Sequence, residues 1–201
     1  MIADDRGVAF ARDMYADRVE YGDAYWQKVM AYEDTDIARD VNAGRCEMLK
    51  RHLRNNAIVI DVGAGTGAFV RAARAAGFDA RGYDVMPIAV DRLVAQGYYA
   101  DPATYHDALC MWDTIEHLED AADMLGCVRE WLFVSVPVFH DLSAIRESRH
   151  YRPGEHLYYF TPAGLIDWLG CYGFQCMELS RHEMEAGRDS IGAFAFRRVR
   201  Q

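Results

Sequence analysis

The chain has 201 residues, 51% of them apolar and 26% charged, with a formal net charge of -9. That length is about one domain's worth of chain, and the composition is that of a globular protein, which excludes disordered and fibrous classes. The acidic balance argues against a surface built to grip phosphate backbones. Lys28 and Lys50, the only lysines, leave Schiff-base and P-loop chemistries almost nowhere to reside.

The first residues lack the basic-then-apolar pattern of a secretory signal. The longest apolar stretch, Trp131 to Phe139, is interrupted by Ser135 and is too short to cross a bilayer. Five cysteines, odd in number and with no Cys-x-x-Cys pair, read as reduced thiols. A cytoplasmic protein without a membrane partner is expected.

Aromatic residues crowd the N-terminal region: Tyr15, Tyr21, Tyr25, Trp26 and Tyr32. They fit either a helix pair packed on the core or a lid over a substrate, and Tyr25 and Trp26 are the candidate substrate contacts. Thr35 is a good N-cap for a helix carrying Ile37, Val41, Met48, Leu49 and Leu53 one or two turns apart. Residues 1–56 are thus expected to form a helical cap or lid on a core spanning 57–201, all within one domain.

From residue 57 onward, short apolar runs alternate with helical patterns, the signature of βαβ units around a mostly parallel sheet. Strands are expected at 58–62, 80–83, 98–100, 109–112, 132–136, 174–179 and 191–197, and helices at 69–76, 88–96, 121–129 and 163–172. The last two strands are separated only by a loop and should form a hairpin, so one runs antiparallel. The expected fold is α/β: a Rossmann-like, doubly wound sheet of seven strands with helices on both faces.

The run Val59-Ile60-Asp61-Val62-Gly63-Ala64-Gly65-Thr66-Gly67-Ala68 is an apolar strand entering a glycine turn that opens a helix. Glycines there let a nucleoside-bearing cofactor approach the backbone, and Asp84 at the end of the next strand can accept hydrogen bonds from ribose hydroxyls. Asp84 also suits a plain helix N-cap before Pro87. The glycines alone fit a dinucleotide as well. A carboxylate at Asp61 favours the cationic amine of a methionine group over a pyrophosphate, and the chain has no Tyr-x-x-x-Lys pair.

Residues 57–197 resemble the class I S-adenosylmethionine-dependent methyltransferases, and Asp61 to Gly67 is similar to their first motif. Asp113-x-x-Glu116-His117-Leu118 and Glu155-His156-Leu157-Tyr158-Tyr159-Phe160-Thr161 resemble segments of the ubiquinone-biosynthesis type of O-methyltransferase. The resemblance implies that S-adenosylmethionine, released as S-adenosylhomocysteine, is bound by Asp61, Gly63, Ala64, Gly65, Gly67, Asp84, Val85, Trp112 and Asp113. It also associates a divalent metal with the Asp113, Glu116 and His117 positions.

Transfer to a hydroxyl needs a base, and His117 is the candidate, with Glu116 orienting its ring or binding a metal. The same two residues also fit the start of the next helix, an acid being favourable there. The 140–156 insert follows a strand's carboxyl end and carries Arg146, Arg149 and Arg152 matched by acids, so it reads as a substrate loop or a charged surface. His156 at its end and Tyr159 beyond it are further candidate substrate contacts.

A small-molecule or sugar-like hydroxyl fits best as acceptor. Nucleic acid is not indicated, although a nucleotide or modified polymer stays open. A cofactor-binding domain without turnover and a nicotinamide-dependent oxidoreductase are the rival readings.

Overall fold

The computed structural model describes residues 2–3, 6–10 and 21–199; Tyr15 lies outside them. Nine strands and seven helices are found among these residues. The main sheet contains β3 (Ile58–Val62), β4 (Asp79–Tyr83), β5 (Ala108–Trp112), β6 (Trp131–Pro137), β8 (Phe174–Ser180) and β9 (Ile191–Arg198), in the order β4-β3-β5-β6-β9-β8. β4, β3, β5 and β6 are parallel, while β9 runs antiparallel to both β6 and β8, as the short terminal connection requires.

The sheet therefore has six strands, not seven. Residues 98–100 meet β4 through a single Gly82–Tyr99 bridge. The Gly82 amide donates to Tyr98 and the Ala100 amide donates to Gly82, after which Pro102, lacking an N–H, cannot extend a ladder. A second, three-stranded sheet, β1 (Ile2–Ala3), β2 (Val8–Phe10) and β7 (Tyr158–Phe160), was not anticipated. It joins the N-terminal arm to the end of the 140–156 insert.

Alternate residues of each central strand face opposite layers. Ile60, Leu109, Leu132, Val134 and Phe194 pack against α5 (Ala121–Cys127) and α6 (Pro162–Cys171). Val59, Cys110, Phe133 and Ala195 pack against α2 (Asp36–His52), α3 (Ala68–Ala75) and α4 (Pro87–Ala95). Burial on both faces explains the near-continuous apolar runs. Each fully buried side chain such as Leu49 or Phe133 contributes ~1.5–3 kcal/mol.

Helix α2 begins where the sequence indicates. The Ala38 amide donates to the Thr35 hydroxyl at 3.2 Å, and Lys50, Arg51 and His52 occupy the last turn, where positive charge is favoured. Met48 and Leu49 of this helix are fully buried against the sheet layer. Gly44 within it faces α7 (His182–Glu185), where a Cβ would stand 2.3 Å from the His182 ring.

Candidate active site

The site forms at the carboxyl ends of β3, β4 and β5. Gly63, Gly65 and Gly67 all have left-handed backbone, with φ of 78°, 52° and 76°. A Cβ on Gly63 would lie 2.4 Å from the Thr114 hydroxyl, which itself donates to the Val62 carbonyl at 3.0 Å. The turn is thus pressed against the segment carrying Asp113, Glu116 and His117. Ala64 is buried.

Asp84 pins the turn from the other side, its Oδ2 accepting the Gly65 amide at 2.8 Å and its Oδ1 the Met86 amide at 2.9 Å. It therefore serves the start of α4 while standing beside the glycines. Val85 next to it is 77% exposed, an apolar side chain left at the rim.

Asp61, at the end of β3, is buried and its Oδ1 has no hydrogen-bond partner among the described residues. Burial outweighs the opposing Arg45 charge and pushes its carboxyl up to about 8, so it holds its proton at neutral pH. Trp112 lies in the core, its ring 5.3 Å from that of Phe69 and under the Arg45 guanidinium.

Helix α1 (Asp23–Glu33) covers the turn, a Cβ on Gly65 being 3.7 Å from Val29. Its Glu33 pairs with Arg92 of α4 at 3.1 Å and Arg71 of α3 at 3.2 Å. The Tyr25 ring lies tilted against that of Tyr21, 4.7 Å between centroids, and its hydroxyl pKa is raised by burial and by the charges of Glu155, Asp84 and Asp113. Trp26 is buried.

Glu116 and His117 fall in a single turn of 3₁₀ helix at Ile115–His117. The Nδ1 of His117 lies 2.9 Å from the Glu155 carbonyl oxygen and 3.2 Å from the Tyr21 hydroxyl. The His156 ring stands edge-on to it, at 4.8 Å between centroids. Burial, then the His117 charge, lowers the His156 pKa to about 3, so this ring is neutral. Burial and the Asp113 charge push the Glu116 carboxyl well above its ordinary value. Glu116 Oε2 and His156 Nδ1 are buried without hydrogen-bond partners among the described residues, and burial raises the Tyr159 pKa to about 12.

The 140–156 insert packs Ile145 and Tyr151 against Tyr159 and brings His156 to the cluster at its end. Its Arg152 pairs with Glu155, and Arg149 and His150 bond the Asp189 carbonyl. Among the described residues, Glu116, His117 and His156 are the group able to hold a metal ion, with one ligand atom each within 4.8 Å. Asp113 is not one of that group, and its Oδ2 is held by Arg188 at 2.8 Å and Arg45 at 3.3 Å. Burial disfavours charge on Asp113, yet these guanidiniums outweigh it and hold its pKa below the usual value.

Arg45, Glu183 and Arg188 were missed. Arg45 had a readable signal, a charge in helical register with Val41, Met48 and Leu49 on the buried face of α2. Glu183 and Arg188 had none, lying in a polar stretch between two strands.

A glycine turn, an acid closing the next strand and a polar cluster at the sheet's carboxyl edge define a nucleoside-cofactor enzyme of Rossmann-like architecture. Residues 34–179 match the model of the methyltransferase domain, and the chain belongs to that family. It is an S-adenosylmethionine-dependent methyltransferase, which sets aside the nicotinamide reading.

Solved structures share the fold. Magnesium protoporphyrin IX methyltransferase from Synechocystis PCC 6803, with bound S-adenosylhomocysteine, is 17% identical over 92% of this chain and 91% of its own, with a TM-score of 0.54. A methyltransferase from Thermotoga maritima is 14% identical over 87% and 98%, with a TM-score of 0.59. One from Mesorhizobium loti is 16% identical over 78% and 100%, with a TM-score of 0.54. No curated protein matches in sequence. No helix among the described residues is long and apolar enough to cross a membrane.

Proposed function

We propose that the enzyme methylates a hydroxyl of a small-molecule or sugar-like acceptor, with His117 as base. The observation carrying this reading is the His117–Glu155 contact. A backbone carbonyl can only accept, so the neutral ring carries its hydrogen on Nδ1 and Nε2 is its accepting nitrogen. In this reading the acceptor lies among Tyr25, His156 and Tyr159, while Trp26 anchors α1. Asp84 takes the ribose hydroxyls, and Asp61 and Asp113 face the methionine end.

S-adenosylmethionine bound there would supply the methyl group to the acceptor hydroxyl and leave as S-adenosylhomocysteine, and the proton of that hydroxyl would pass to His117 Nε2. A screen of hydroxyl and amine acceptors with labelled methyl donor identifies the acceptor. His117→Ala should then keep its S-adenosylhomocysteine affinity and lose ~10²–10⁴ in turnover. Wild-type turnover in the folded variant refutes the base assignment.

The partnerless atoms of Glu116 and His156 favour a second reading, in which Glu116, His117 and His156 hold a divalent ion. Two imidazoles and a carboxylate suit a zinc- or manganese-class ion, which would polarise the acceptor oxygen. Calorimetry with Zn²⁺, Mn²⁺ and Mg²⁺ decides between the two. Binding that Glu116→Gln abolishes supports the ion, and no binding leaves His117 as base.

A further inference from the structure

We infer that Glu183 and Arg188, on the connection between β8 and β9, are positioning residues of the methyl-donor site, fixing Asp113 as an anion toward the cofactor's sulfonium. The inference rests on the cofactor placement proposed above.

Glu183 is completely buried on α7, whose four residues follow β8. Its Oε1 accepts Arg45 Nε at 2.8 Å, and its Oε2 accepts Arg188 Nη1. The Arg188 amide returns to the Glu183 carbonyl at 2.8 Å, which closes the connection on itself. Arg188 Nη1 and Arg45 Nη2 both donate to Asp113 Oδ2, and Arg45 Nη2 also reaches the Ser135 hydroxyl at 3.1 Å. Two arginines and two carboxylates form a ring joining α2, the ends of β5 and β6, and the β8–β9 connection.

Stability does not account for this ring. Well-packed apolar replacements for buried ion pairs are often as stable or more so, whereas removing one partner strands a charge. What the ring does fix is Asp113, which begins the segment pressed on the glycine turn and has left-handed backbone at φ 52°. Its amide donates to the Ser135 carbonyl at 2.9 Å. Such backbone persists where its surroundings over-determine it.

Both arginines grip the same Asp113 oxygen, Oδ2. Oδ1 takes no hydrogen bond from the described residues, and the side chain remains 32% exposed. One oxygen is locked and the other is presented. The Asp113 charge raises the pKa of both Tyr25 on the covering helix and Glu116 in the acceptor cluster.

S-adenosylmethionine carries a sulfonium that S-adenosylhomocysteine lacks. A fixed anion there favours donor over product and helps the spent cofactor leave. The test compares affinities of S-adenosylmethionine and S-adenosylhomocysteine by calorimetry for wild type, Asp113→Asn, Glu183→Gln, Arg188→Ala and Arg188→Lys. Asp113→Asn, Glu183→Gln and Arg188→Ala should each lower the donor-to-product affinity ratio about 5- to 10-fold, the order of one charge pair near water.

Arg188→Lys should restore part of the ratio, and Arg188→Ala combined with Asp113→Asn should add little to either alone. A purely structural network would move melting temperature, or both affinities together, and leave the ratio unchanged; that result overturns the inference. If Glu183→Gln does not fold, Asp113→Asn and Arg188→Lys carry the test. Failure of wild type to bind either ligand would instead refute the cofactor site.

Discussion

The Asp84 carboxylate accepts the Gly65 amide at 2.8 Å, tying the end of β4 to the middle of the glycine turn. One side chain thus shapes the turn, and in the proposed reading it also takes the ribose hydroxyls. Asp84→Ala is expected to weaken S-adenosylhomocysteine binding by ~1–3 kcal/mol, the order for losing a charged hydrogen-bonding group. Calorimetry on the folded variant checks this, and an unchanged dissociation constant removes Asp84 from the site.

Asp61 makes stability depend on pH in a definite direction. Burial raises its folded pKa to about 8, above its unfolded value of ~3.9, so unfolding releases a proton between the two. Its stabilising contribution is complete below the unfolded value and is lost as pH rises through about 8. Relative to Asp61→Asn, wild type should lose on the order of 1 kcal/mol per pH unit across that window. Denaturant unfolding of both proteins without cofactor at pH 6 and 8 measures it; parallel pH profiles would show that Asp61 is not held protonated.

Gly44 tests the packing of α2 on α7. Alanine in a helix interior normally gains ~0.5–1 kcal/mol over glycine, but here its Cβ would meet the His182 ring at 2.3 Å. Overpacking costs ~1–3 kcal/mol, so Gly44→Ala should lower the melting temperature. A rise would mean that the ring moves aside at little cost.

Gly63→Ala should cost both stability and cofactor. Left-handed backbone costs an alanine ~1–2 kcal/mol, and its Cβ would collide with Thr114 at 2.4 Å. Thermal melting with and without S-adenosylhomocysteine should show a lower midpoint and a smaller ligand-induced rise. A full ligand shift in this variant would separate the turn from binding.

Much of the fold was legible because it is written in local patterns. The 58–62 strand, the Thr35 cap and the glycine turn each depend on residues a few positions apart, and helical or strand spacing exposes such neighbours directly. The 98–100 segment misled because an apolar-aromatic run shows strand propensity but not how many partner bonds it will find.

The sequence by itself determined the strand–glycine turn–helix unit, the acid at Asp84 and the alternation that builds a parallel sheet, since each follows from short-range sterics and burial. Only the tertiary structure decided that Arg45 meets Glu183, 138 positions away, and that His117 is held by Glu155, 38 positions away. It also tied Asp113 to Arg188 and put His156 beside Glu116 and His117. Contacts between distant polar residues leave no periodic trace along a chain, because chain folding and loop closure, rather than local propensity, bring them together.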